Sequence, residues 1–127
     1  MEEAAVYTTG KEEKAKIIAV DFDGTLCENK WPEIGEPNMK LILYLREEKR
    51  KGSKLILWSC RTQEQLAEAL EWCFWMQLEF DAVNQNLPEI IEMFGEDTRK
   101  IFADEYIDDR ACTKFDLPVH MKKVKEK

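Results

Sequence analysis

Short apolar runs alternate with amphipathic stretches along this chain, and the alternation predicts an architecture before any single residue is considered. Residues 16–20 form an unbroken run (Lys16, Ile17, Ile18, Ala19, Val20) with β-branched members and no polar alternation, the pattern of a strand buried on both faces. Residues 54–58 repeat it with Leu55, Ile56, Leu57 and Trp58, residues 80–83 give a weaker third strand, and residues 105–107 a last one. Between these runs the apolar spacing turns helical. Met39, Ile42 and Leu45 make one stripe of a helix from 39 to about 51, opened by Asn38 and stopped by Gly52. Thr62 and Gln65 predict a capping box for a helix to about residue 80, with Leu66, Ala69, Leu70, Cys73 and Gln77 on its inner face. Trp72 and Trp75 fall off that stripe and are expected to lie under the neighbouring helix, a self-association patch being the alternative. A short helix over 89–94 ends at Gly95, and residues 26–38, punctuated by Pro32, Gly35 and Pro37, predict a loop or small flap.

Strands alternating with helices imply right-handed crossovers and a mostly parallel sheet with helices on both faces. The expected fold is therefore α/β, three-layered and Rossmann-like, with four to five strands; the fifth would be an edge strand from Phe115, Leu117, Val119 and Met121. A chain of 127 residues holds one such domain, placed over 16–121 between a polar lead-in (1–15) and a charged tail (122–127).

Composition narrows the chemistry. With 44% hydrophobic and 35% charged residues, no membrane-length apolar run and no basic, apolar leader, the expectation is a cytoplasmic protein. Four dispersed cysteines and one histidine, His120, provide neither a zinc site nor a Ser–His or Cys–His pair, so any acids and bases are carboxylates. A net charge of −7 disfavours a long nucleic-acid partner, because binding one relies on neutralising phosphates. A homo-oligomer stays open.

In parallel sheets, ligands bind beyond the carboxyl ends of the strands. Here those ends carry Asp21 and Asp23, then Ser59 and Arg61, then Asn84, then Asp108 and Asp109. Each has a bland reading, as a turn, a cap or a surface charge, but those readings do not explain their common placement. Clustered hard oxygens without His or thiolate suit Mg²⁺, which takes one or two carboxylates plus substrate phosphate. Asp21 would then attack phosphorus, while Asp23 protonates the leaving oxygen and later deprotonates water. Backbone amides of the turn at Asp23, Gly24 and Thr25, the Ser59 hydroxyl, and one cation would hold the transferring oxygens, with Arg61 also expected among the phosphate-binding residues. Lys100 is the preferred cation, ahead of Arg99, Lys54 and Lys114.

These residues closely resemble the signatures of the haloacid-dehalogenase-like (HAD) phosphatase superfamily. Its D-x-D-G-T motif stands at Asp21–Phe22–Asp23–Gly24–Thr25, its strand ending in Ser or Thr at Leu55 to Ser59, its lysine at Lys100, and its acidic pair at Asp108–Asp109. The resemblance implies Asp21 as nucleophile and Mg²⁺ ligand, Asp23 as acid/base binding the metal through its backbone carbonyl, Asp108 as metal ligand, and Asp109 as ligand or supporting partner. Residues 26–38 and 84–99 are too short for the cap domain that many members insert, so the chain resembles a minimal, capless member. Such members act on macromolecules or borrow a neighbouring subunit as a lid; Trp31, Pro32 and Ile34 in the flap are candidates to touch substrate.

The expected function is thus Mg²⁺-dependent phosphomonoester hydrolysis through an aspartyl-phosphate. One alternative is a phosphatase specialised for nucleotides or nucleic-acid ends. Outside enzymes, a phospho-accepting regulatory domain or a non-catalytic binding module would use similar residues, although a receiver-type domain does not place a second Asp and Gly-Thr after its acceptor.

Overall fold

The computed structural model describes residues 15–110. The expected edge strand at Phe115 to Met121, the charged tail, Lys114 and all but the last residue of the lead-in lie outside them.

Four parallel strands organise the described residues: β1 (Ile17–Val20), β4 (Lys54–Leu57), β5 (Ala82–Val83) and β6 (Glu105–Ile107). They lie in the order β5-β4-β1-β6, so β1 is central, with Ala19 aligned to Ile56 on one side and Tyr106 on the other. Helices α1 (Met39–Arg50) and α2 (Gln63–Trp75) and the short α3 (Pro88–Phe94) supply the crossovers. The residue-by-residue alternation of a strand sorts the core into two layers. Ile18, Val20, Leu55 and Leu57 pack with Ile42 and Leu45 of α1 and Ala69 and Cys73 of α2. Ala19 and Ile56 instead join Ala82, Leu87, Ile90 and Ile101 on the α3 side. Full burial of each Leu or Ile is worth roughly 1.5–3 kcal/mol, which is why runs without polar alternation settle into this sheet. The result is an α/β arrangement consistent with a Rossmann-like fold.

The chain winds outward from β1 through β4 to β5, then returns past β1 to β6. Reversal of that direction opens a crevice between β1 and its neighbours at their carboxyl ends.

Three local expectations are corrected. Thr62 precedes α2 but its side chain makes no capping hydrogen bond, because Gln63 enters the helix at φ +48°, outside the geometry of a capping box. The same helix stops at Trp75: Gln77 turns to φ +62°, and the Gln77 and Leu78 amides bond back to the Phe74 and Cys73 carbonyls. This closing turn brings Leu78 into the core in place of another helical turn. The tryptophans of α2 part company. Trp72 packs edge-on against the buried Phe22 at 5.4 Å, while Trp75 stays 69% exposed beside Phe74, uncovered by any described neighbour.

The flap over residues 26–38 is an antiparallel hairpin of β2 (Cys27–Lys30) and β3 (Glu33–Pro37), with a bulge between Cys27 and Asn29. Gly35 permits its tight packing, since a Cβ there would lie 2.6 Å from the Glu28 carbonyl oxygen.

Candidate active site

Asp21 is the first residue past β1, and its amide donates to the Ile107 carbonyl at 2.9 Å, which extends the β1–β6 ladder by one step. Phe22 then turns into the core, fully buried, so the two motif carboxylates are forced outward on either side of it. The turn that follows needs Gly24. Its φ is +83°, and a Cβ there would come within 2.3 Å of the Asp109 carboxylate. Glycine at this position lets the loop after β6 close onto the loop after β1.

Thr25 fastens that closure. Its buried hydroxyl accepts from the Asp109 amide at 3.0 Å and donates to the Asp21 carboxylate at 3.4 Å. Asp21, Asp108 and Asp109 thereby come together, each offering one carboxylate oxygen with all three oxygens within 4.8 Å of one another. Burial raises the Asp21 carboxyl to about 6, and the charges of Asp108 and Asp109 push the same way. Asp109 is raised as well, by burial first and then by its contact with Asp108. Three hard, mutually repelling oxygens fit a divalent cation, which would relieve the repulsion. Asp23, expected to bind the metal through its backbone carbonyl, keeps its carboxylate outside this group.

Both Asp23 oxygens instead accept from Arg61, Nε and Nη2 each at 2.8 Å. Arg61, expected among the phosphate-binding residues, is thus engaged by Asp23 and lines neither lobe of the cleft. The Arg61 side chain is 1% exposed, lies between the Phe22 and Trp31 rings at 5.0 and 5.1 Å, and donates also to the Glu33 and Gln65 carbonyls. A guanidinium can be buried at tolerable cost only when its donors are used in this way. Arg61 therefore ties Asp23 to the base of the hairpin.

Ser59 sits where expected, at the end of β4 and facing Asp21 across the cleft. Its amide is taken by the Asn84 side chain at 2.7 Å, and its oxygen accepts the Arg61 amide at 3.0 Å, so the hydroxyl proton is what it can offer to a ligand. Asn84 reaches Ser59 from a left-handed turn, φ +56°, a conformation that Asn tolerates well.

The cleft has two lobes that meet along Asp21, Trp58, Asp108 and Arg110. The larger, about 470 Å³, lies against Asp23, Asp109, Ser59 and Asn29. The smaller, about 270 Å³, lies against Ala19, Trp58, Tyr106 and Lys100. Lys100 thus reaches the Asp21 cleft, its Nζ 5.8 Å from the centre of the Tyr106 ring. Arg99 does not line either lobe.

Two contributors escaped sequence reasoning. Arg110 lines both lobes, and its position directly after Asp108–Asp109 was a usable signal. Asn86 is fully buried and fastens the loop that carries Lys100: its side-chain amide donates to Asp97 at 2.8 Å, and its oxygen accepts the Phe102 amide at 2.7 Å. In the sequence it is one polar loop residue among several, with no pattern to mark it.

No family model matches the chain, and no curated protein does. A solved structure of a conserved protein from Bacteroides thetaiotaomicron is similar: 42% identical, covering 88% of this chain and 91% of that one, with a TM-score of 0.70. At that identity over most of both lengths, this chain belongs to the same family as that conserved protein.

Proposed function

We propose that the protein is a HAD-like, Mg²⁺-dependent phosphomonoester hydrolase that works through an aspartyl-phosphate on Asp21. The observation that carries this reading is the convergence of Asp21, Asp108 and Asp109 at the strand ends, with Asp21 both half-buried and open to the cleft. The D-x-D-G-T string at residues 21–25 supports it independently.

Bound to these carboxylates, Mg²⁺ would neutralise them and offset charge on the transferring phosphoryl group. The Asp21 carboxylate attacks phosphorus in line; the bond from phosphorus to the ester oxygen breaks, and Asp23 supplies the proton that lets the alcohol leave. Water then attacks the aspartyl-phosphate, Asp23 takes its proton, and inorganic phosphate departs with Asp21 restored as a carboxylate. Asp23 lines the cleft but accepts from Arg61 through both oxygens, so one oxygen must leave that pair and take up a proton from water before it can protonate the ester oxygen. The Ser59 hydroxyl and the Lys100 or Arg110 cation, which line the cleft, would hold the equatorial oxygens.

The test is hydrolysis of a generic aryl phosphate. The expected outcome is Mg²⁺-dependent turnover, lost on adding EDTA and reduced by at least about a thousandfold in Asp21→Asn. Turnover undiminished in Asp21→Asn contradicts the proposal.

A further inference from the structure

The smaller lobe has walls that phosphate and metal chemistry does not require. Ala19 and Asp21 are two residues apart at the end of β1, and Ile56 and Trp58 stand in the same relation at the end of β4. Tyr106 of β6 aligns with Ala19 from the other side. Ala19, Trp58 and Tyr106 therefore share the α3 side of the sheet, Trp58 one same-face step beyond the Ile56 that aligns with Ala19, and the notch they line opens beside the Asp21 carboxylate.

The two walls are tied down differently, Trp58 at its backbone and Tyr106 at its hydroxyl. The Trp58 amide donates to the Val20 carbonyl at 2.9 Å, which holds its backbone in register with β1. The Tyr106 hydroxyl donates to the Ile101 carbonyl and accepts from the Ala103 amide, so its ring cannot swing away. The two ring centres are 5.9 Å apart and the rings inclined at 48°, a tilted contact rather than a parallel stack, and both rings line the lobe. Trp58 and Tyr106 are 38% and 39% exposed, leaving apolar ring surface in water at the one place where a substrate must lie. The Lys100 amine over the Tyr106 ring puts a cation at the edge.

From this we infer that the leaving group carries a planar ring system, a nucleobase or another aryl group, stacked on Trp58 while the phosphate meets Asp21. The inference rests on the phosphohydrolase reading and specifies its substrate class. The lobe of about 270 Å³ suits a single ring system. The net charge of −7 argues against a polynucleotide in its place.

Ribose 5-phosphate and adenosine monophosphate share the same primary ester and differ in the base, so their comparison isolates the ring. The expected result is a kcat/KM for adenosine monophosphate roughly tenfold or more above that for ribose 5-phosphate, carried by KM. Trp58→Ala should erase most of that ratio and Trp58→Phe should keep it, and using the ratio cancels any general loss of activity. Benzyl phosphate against propyl phosphate separates the sources: the same preference there means any aryl group is accepted, and its absence means the nucleoside is recognised. Calorimetric binding of adenosine monophosphate and ribose 5-phosphate gives a readout that needs no turnover. Equal kinetics and equal binding for those two, or a ratio unmoved by Trp58→Ala, overturn the inference while Mg²⁺-dependent hydrolysis leaves the phosphatase reading standing. Preferential binding without hydrolysis of any ester has the opposite meaning: the ring site stands and the phosphatase reading falls.

Discussion

Asp21 carries more constraints than any other side chain in the cleft. Burial and two neighbouring carboxylates raise its proton affinity to about 6, from 3.8 for the unperturbed group. Between those values the native protein holds a proton that the unfolded chain has released, so stability without metal falls as pH rises from 3.8 through about 6. Glu48 and Asp81 are shifted the other way: burial pushes each up, but the hydrogen bonds and cations around them outweigh it. Their contributions are lost as pH falls below 4.5 for Glu48 and 3.8 for Asp81, so neither offsets the change between pH 5 and pH 7. The melting temperature in EDTA should therefore be higher at pH 5 than at pH 7, and Mg²⁺ should raise it more at pH 7 than at pH 5. A metal-free melting temperature that climbs from pH 5 to pH 7 contradicts the Asp21 assignment. Arg61 shows the same electrostatic logic resolved differently: a carboxylate beside a buried guanidinium needs no cation from solution, and Asp23 is paired for that reason.

At the scale of elements, the site is made where the loop after β1 meets the loop after β6, and Thr25 is the contact between them. Thr25→Val keeps the shape and removes both hydrogen bonds, so it should weaken Mg²⁺ binding or activity by roughly 10–100-fold while the fold persists. Calorimetric Mg²⁺ titration with a circular dichroism check measures this; unchanged affinity would show that the two loops hold their positions without the bridge. The strands and helices that carry these loops were legible in the sequence because burial on both faces leaves a continuous apolar run, as in Leu55 to Leu57. The hairpin strands were not. Cys27–Lys30 has one buried residue followed by three exposed ones, so it shows neither alternation nor an apolar run. The end of α2 was missed for a related reason, since Gln77 in a left-handed turn has no glycine to announce it. Placement of Asp21, Asp108 and Asp109 together followed from strand-end logic. The burial of Arg61 did not, because it depends on Phe22, Trp31 and the hairpin closing around one guanidinium.

The whole molecule directs these parts to one place. Its strand order sets β1 at the centre with the direction of winding reversed beside it, and the acidic cluster, Ser59, Lys100 and the aromatic notch all open at that point. The hairpin is the only insertion after β1 among the described residues, and it covers Arg61 and Asp23 without enclosing the cleft. An open site of this kind leaves discrimination to the cleft walls. The central claim remains the covalent step on Asp21, and the most direct measurement is mass spectrometry of peptides from enzyme acid-quenched during turnover of a phosphomonoester with Mg²⁺. The account predicts a phosphoryl group on the peptide bearing Asp21, localised to that residue and missing when EDTA is present. A phosphoryl group localised to another residue, or steady turnover with Asn in place of Asp21, would contradict it.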